Sequence, residues 1–236
     1  MAGKLLVVGA REGSLGAGVV QVAEASGLYS RVGTAGISGD EERRLNITRL
    51  KDVYAFLREE EWDHVVCTAG MNLPGTITGQ DWHANMKSQM NVNYQGPMNL
   101  LSEWARYWRK RLEVQPDEKE QTRHFVAVSS NSAHIARSGS GGYCASKAAL
   151  SMGVRCAARE LDRDGWPLVA YGYEPGWLNG TPMSNEIESA ISGPLHRIPS
   201  GQGLHPVSLA ALIVNNLSNM NQAISGCMIR VDGGEQ

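Results

Sequence analysis

The sequence predicts an open, doubly wound parallel sheet of about seven strands, with helices on both faces. Three observations carry this expectation. Short apolar runs alternate with helical patterns along all 236 residues. A glycine-rich turn, Gly9-Ala10-Arg11-Glu12-Gly13-Ser14-Leu15-Gly16, follows the first run and opens a helical pattern. Later runs are followed directly by Ala69-Gly70, Ser130 and Pro175-Gly176. Right-handed crossovers gather such strand ends at one sheet edge, where ligands bind.

The elements follow in order. Lys4-Leu5-Leu6-Val7-Val8 reads as a buried strand, and the pattern after the glycine turn as a helix over 15–26. Further strands are expected near 31–35, 44–47, 64–68, 124–129, 168–173 and 227–231, and further helices near 49–60, 81–111, 142–163 and 207–217. Few residues separate Gly36 from Leu45-Asn46-Ile47-Thr48, so no helix fits between the second and third strands. The charged stretch Leu112 to Arg123, with Pro116, reads as a surface loop. Neither a repeat nor a linker divides the chain, which is read as one domain over 1–236.

Composition excludes several classes. Net charge is −2, and the only basic stretch, Arg106 to Arg111, lies on an amphipathic helix, so no nucleic-acid partner is expected. No run of apolar residues is long enough for a membrane span, and the N-terminus reads as a strand, not a signal; a cytoplasmic protein is expected. Cys67, Cys144, Cys156 and Cys227 lack metal or redox spacing, and the six histidines are scattered, so no metal is assigned.

The chemistry-bearing run is Gly142-Tyr143-Cys144-Ala145-Ser146-Lys147. On a helix, Tyr143 and Lys147 share one face. A nearby ammonium favours the phenolate, so Tyr143 is expected to have a lowered pKa and to exchange protons near neutrality. Ser130 precedes Tyr143 at the end of Phe125-Val126-Ala127-Val128-Ser129-Ser130. With the glycine turn, Cys67-Thr68-Ala69-Gly70, Asn91-Val92-Asn93, Pro175-Gly176 and Val231-Asp232-Gly233-Gly234, the ordered set resembles the short-chain dehydrogenase/reductase family across essentially the whole chain.

That resemblance implies a Rossmann-type fold and an NAD(P)-dependent oxidoreductase interconverting a carbonyl and a secondary alcohol. Tyr143 would be the acid and base, Lys147 would support its phenolate and bond the nicotinamide ribose, and Ser130 would hold the substrate oxygen. Asn93 would support a water linked to the lysine. Ser129, Ser132 and Asn91 stand as rivals to Ser130 and Asn93; His134, Ser138 and Tyr173 have no assigned role. Gly9, Arg11, Ser14, Leu15 and Gly16 would form the phosphate turn, although its spacing is one residue longer than the family's. Gly36, Asn46 and Ile47 would border the adenosine, and Ala69 and Gly70 would let the backbone approach. Pro175, Gly176, Leu178 and Thr181 would meet the nicotinamide half.

No carboxylate stands at the expected end of the second strand, near Gly36, while Arg11, Ser38, Arg43 and Arg44 are close in sequence. NADP is therefore preferred over NAD. Residues 182–206, rich in Gly, Pro and Ser, are read as a lid, with Trp177, Met183, Ile187 and Ile191 as its apolar surface. Met98, Leu101, Trp104, Ala105 and Trp108 on one long helix, and Ala149, Met152, Cys156 and Ala157 on another, exceed what one buried face needs. A homodimer or homotetramer built on these helices is expected. Two other readings remain: a cofactor-binding sensor without turnover, and a sugar-nucleotide epimerase or dehydratase.

Overall fold

The computed structural model describes residues 3–188, 198–219 and 222–235. The strands are β1 (Lys4–Val8), β2 (Arg31–Gly36), β3 (Arg43–Arg44), β4 (His64–Cys67), β5 (Arg123–Val128), β6 (Leu168–Pro175) and β7 (Met228–Val231). The helices are α1 (Leu15–Ser26), α2 (Leu50–Glu59), α3 (Trp82–Met90), α4 (Gly96–Val114), α5 (Gly141–Arg163), α6 (Pro182–Glu188) and α7 (Pro206–Asn219). All seven strands pair in parallel in the order β3-β2-β1-β4-β5-β6-β7. The order reverses between β1 and β4, so a crevice opens above their C-terminal ends.

Alternation along β1 builds both cores. Leu6 and Val8 point into the layer formed with α2, α4 and α5. Leu5 and Val7 point the other way, against α1 and α7. Helix α1 starts where Ser14 caps it, its hydroxyl accepting from the Ala17 N–H at 3.3 Å, and stops at Gly27 in the left-handed region.

The expected helix over 81–111 is two helices joined by a π-turn at Asn91–Gln95. Pro97 has no N–H to give to the Asn93 carbonyl one turn back, and the Gly96 N–H bonds instead to Asn91, five residues back. A side chain at Gly96 would also strike Ile47, whose Cγ1 lies 2.6 Å from the Cβ position. Helix α4 then runs into the stretch expected as loop, ending at Val114 before a 3-10 turn over Pro116–Glu120. The third strand is shorter than expected. Leu45 still bonds to the Gly36 carbonyl at 2.7 Å, but Asn46 then turns the chain by accepting from the Thr48 N–H.

Helix α4 turns its largest apolar residues inward. The indole N–H groups of Trp104 and Trp108 both donate to the Trp62 carbonyl, at 3.0 and 2.9 Å, and both rings are buried. These residues therefore belong to the core and supply no second apolar face. Met152 and Cys156 on α5 remain exposed.

At the N-terminal edge of the sheet, far from the crevice, His64 and His124 are buried with ring centroids 5.4 Å apart. The His124 backbone N–H donates to His64 Nδ1. Burial, with the charges of His124 and Arg123, pushes His64 down to about 3, and burial pushes His124 down to about 4. Both rings are neutral at physiological pH.

Of the expected lid, α6 and residues 198–206 are described, and 189–197, including Ile191, lie outside the described residues. Leu178 pairs with Leu204 in a parallel bridge, which ties the segment after β6 to the start of α7.

Candidate active site

A cavity of about 490 Å³ occupies the crevice. The glycine turn and the start of α1 form one end of it, through Gly9, Arg11, Ser14 and Leu15. Gly9 has φ +90°, and a Cβ there would lie 2.6 Å from the Ala69 nitrogen, so the turn and the end of β4 need glycine to pack. Gly16 does not line the cavity. It lies beneath the turn, where a Cβ would meet the Gly9 carbonyl at 2.5 Å and Thr68 Oγ1 at 2.6 Å. The N-terminus of α1 thus borders the cavity through Ser14 and Leu15, a setting suited to a pyrophosphate. These features fit a dinucleotide, as does Asn72 on the cavity wall, whose buried Oδ1 has no donor among the described residues.

Gly36, Asn46 and Ile47 line the cavity at the end of β2, and Ala69 and Gly70 line it after β4. Pro175, Gly176, Leu178 and Thr181 line the far end, where Thr181 and Ser184 exchange hydrogen bonds that fix the entry to α6. The Pro182 ring reaches within 3.7 Å of a Cβ position on Gly13, so the start of α6 crosses the glycine turn.

Ser130, Tyr143 and Lys147 meet on the cavity wall. Ser130 caps a 3-10 turn, accepting from the Ser132 N–H at 3.1 Å, and its hydroxyl acts on the Tyr143 phenol, favouring the ionised form. Its rivals are engaged elsewhere: Ser129 donates to the Lys147 carbonyl, and Ser132 accepts from Arg137 Nε. Lys147 Nζ donates to the Val128 carbonyl at 2.9 Å and stands 5.7 Å from the Tyr143 ring centroid. Burial lowers Lys147 to about 8.

The phenol departs from expectation. Its pKa is raised above 10, because burial outweighs the Ser130 hydrogen bond and the charge of Arg137. The lysine ammonium, held on a backbone carbonyl, does not reverse that. Asn93 also departs. Its amide is tied to Met71, accepting from the N–H and donating to the carbonyl, both at 2.8 Å, and it donates to Ser146 at 3.0 Å. It is fully buried and lies off the cavity wall. Asn93 Oδ1 and Lys147 Nζ each lie 3.4 Å from the Cβ position of Gly70, so any larger residue there would stand between them.

The corner at the end of β2 holds a carboxylate that the sequence order conceals. Glu41 folds back over the end of β2, where it would collide with any side chain at Gly36, and Ser38 donates to it at 2.6 Å. Asp40 accepts from the Glu12 N–H across the glycine turn. Of the basic residues expected here, only Arg11 lines the cavity. Arg43 is paired with Glu59 and Glu60 and stacks on Phe56, and Arg11 faces Glu186 on α6. Arg44 does not line the cavity.

Other wall residues that escaped the sequence reading include Asn72, Arg137 and Glu235. Arg137 was within reach of it, lying between Ser130 and Tyr143. His134 and Tyr173, left without roles, are off the wall: His134 bonds to Glu174 at 2.8 Å, and the Tyr173 hydroxyl accepts from Asn216. Among the described residues no cluster of metal-ligating side chains occurs, and no helix is long and apolar enough to cross a membrane.

A family model described as enoyl-(acyl carrier protein) reductase matches residues 28–236. The chain belongs to the short-chain dehydrogenase/reductase family, and it is an oxidoreductase of the class that transfers hydride with NAD(P). Solved structures of similar fold include a short chain dehydrogenase family protein from Francisella tularensis subsp. tularensis SCHU S4, with 19% identity, a TM-score of 0.78, and coverage of 99% of this chain and 98% of that one. A dehydrogenase/reductase from Sinorhizobium meliloti 1021 shows 19% identity and a TM-score of 0.78, over 99% and 95% of the two chains. A short-chain type dehydrogenase/reductase from Mycobacterium ulcerans shows 21% identity and a TM-score of 0.80, over 98% and 88%. No curated protein matches the chain.

Proposed function

We propose that the protein is an NAD-dependent oxidoreductase that interconverts a carbonyl and a secondary alcohol, with Tyr143 as the acid and base. The observation that carries this reading is the meeting of Ser130, Tyr143 and Lys147 on one wall of the dinucleotide-sized cavity. Bound nicotinamide dinucleotide supplies or accepts the hydride. The glycine turn and the start of α1 hold its pyrophosphate, and Asn72 takes one of the donors presented to the wall. Ser130 donates to the substrate oxygen and keeps it within reach of the phenol as charge develops. Tyr143, with its raised pKa, enters protonated at neutral pH and gives its proton to that oxygen in reduction. The Lys147 ammonium stabilises the phenolate left behind, which takes up a proton from solvent as the site resets. Asn93 is a positioning residue that fixes the Met71 backbone beside Gly70.

The choice of NAD reverses the expectation from sequence. Glu41 brings a carboxylate to the end of β2, where it can accept from ribose hydroxyls and repels a 2′-phosphate. The whole chain is proposed to act as one domain, with the described parts of 182–206, residues 182–188 and 198–206, on the side of the nicotinamide half. The description of the matching family model names enoyl reduction. The carbonyl reading is favoured because Ser130 and Tyr143 line the same cavity, where a hydroxyl and a phenol can serve one substrate oxygen. The test is Tyr143→Phe, which keeps the ring's packing and removes the proton. Turnover of a carbonyl panel with NADH should fall about a hundredfold or more while NADH binding persists. Unchanged turnover would remove Tyr143 from the mechanism, and NADH binding without turnover in the unaltered protein would favour the sensor.

A further inference from the structure

The substrate side of the cavity contains an ion pair built from distant parts of the chain. Glu235, after β7, is 2% exposed. Its carboxylate accepts from Asn131 Nδ2 at 2.7 Å and from Arg137 Nη2 at 2.7 Å. Arg137 is fixed at two further points, donating from Nε to Ser132 at 3.0 Å and from Nη2 to Asn131 Oδ1 at 3.2 Å. A guanidinium has five N–H donors. Here Nε and Nη2 are engaged, while Nη1 has no protein partner among the described residues. Arg137 and Glu235 line the same cavity as Ser130 and Tyr143, and the charge of Arg137 reaches the phenol. A planar donor held this rigidly beside a reacting oxygen is suited to recognition.

We infer that Arg137, oriented by Glu235, is the substrate-recognition residue of the cleft, and that the cleft takes an uncharged carbonyl compound bearing hydroxyl groups beside the reacting carbon. The inference rests on the reading of Tyr143 and Ser130 as the site of the reacting oxygen. The charge of Arg137 is already compensated by the buried carboxylate of Glu235. An incoming carboxylate would share that cation with a like charge at close range. A plain ketone would cover the Nη1 donors without offering an acceptor, which costs more than the lost bond alone. A hydroxyl meets both demands, accepting from Nη1 and donating to Glu235, whose oxygens each accept one bond in the structure.

The experiment uses the unaltered protein saturated with 1,4,5,6-tetrahydro-NAD, a redox-inert analogue of NADH. It neither gives nor accepts hydride, so binding of every probe is read without turnover and independently of the role of Tyr143. Calorimetry compares three four-carbon probes: erythrulose, butanone and 2-oxobutanoate. Erythrulose should bind at least about tenfold more tightly than either of the others, the discrimination expected of one well-made hydrogen bond at a rigid site. Glu235→Gln leaves Arg137 uncompensated, and should move the preference at least about tenfold toward 2-oxobutanoate, an effect that loss of structure would not produce. Arg137→Met combined with Glu235→Gln leaves no buried charge unpaired and should abolish discrimination between erythrulose and butanone. Equal or tighter butanone binding, 2-oxobutanoate as the tightest probe in the unaltered protein, an unchanged order in Glu235→Gln, or no erythrulose binding would each overturn the inference.

Discussion

Mild acid should destabilise this protein through two residues that take no part in its chemistry. His64 and His124 are buried, and their folded pKa values lie near 3 and 4, below the ordinary value of 6.5. A depressed folded pKa means that the unfolded chain binds the proton more readily. The stability contributed by the neutral rings is fully present above pH 6.5 and is lost as pH falls from there toward the folded values. At pH 5 the unfolded histidines are almost fully protonated and the folded ones almost fully neutral. Each ring then weakens the fold by about 2 kcal/mol, and the pair by about 4 kcal/mol, from 1.36 kcal/mol per pKa unit. That is a large share of a total of roughly 5–15 kcal/mol. Urea unfolding at pH 7.5, 6 and 5, followed by tryptophan fluorescence, measures it. His64→Asn keeps an acceptor for the His124 N–H and should reduce the slope below pH 6 by about one proton, or about 1.4 kcal/mol per pH unit. A fall of under about 1 kcal/mol between pH 7.5 and 5, or an unchanged slope in the variant, would refute the reasoning. The pair lies at the opposite sheet edge from the cavity, so NAD affinity per folded molecule should not follow this titration.

Glu41→Gln keeps a partner for Ser38 but removes the charge, and should move the NADP-to-NAD ratio of affinities by roughly tenfold or more toward NADP, measured by parallel fluorescence titrations. The Lys147 ammonium, lowered to about 8, is present below that pH and lost above it; kcat/KM for reduction should therefore decline above pH 8, and in Lys147→Arg any remaining activity should lack that decline because guanidinium stays charged. The homo-oligomer expected on α4 and α5 would rest on Met152 and Cys156, so light scattering should give a multiple of the 25.6 kDa chain mass and Met152→Glu should lower it. A mass of one chain for the unaltered protein would refute the oligomer.

The fold was legible because strand and helix periods differ and because turn residues close each apolar run. Leu5 and Val7 against Leu6 and Val8 already state a sheet covered on both faces. The wall carrying Ser130, Tyr143 and Lys147 was legible for the same reason: two of its residues share a helix face and the third ends a strand. What escaped depended on chain reversal. Glu41 lies beyond β2 in sequence but folds back onto Gly36, and nothing in the order of residues states that. Glu235 and Arg137 are 98 residues apart, and only the completed sheet joins them. The rise in the Tyr143 pKa was hidden because spacing shows that a lysine shares its face but not how far the surroundings strip water from the phenol. The large apolar residues of α4 were visible, yet Trp62 had to be placed before Trp104 and Trp108 could be recognised as core.

The shortness of β3 has a consequence for how copies of this chain meet. An edge strand offers unpaired N–H and C=O groups as a template for another chain. Here that border is two residues long, and both are arginines. Arg43 is clamped by Glu59 and Glu60, so its cation stays beside the backbone that an intruding strand would need. Just beyond it, Leu45 and Ile47 turn inward to the core, and Asn46 closes the turn. The same brevity that leaves the end of β2 without a covering helix also leaves too little ladder for a foreign strand to extend, protecting the parallel sheet from growth at that border.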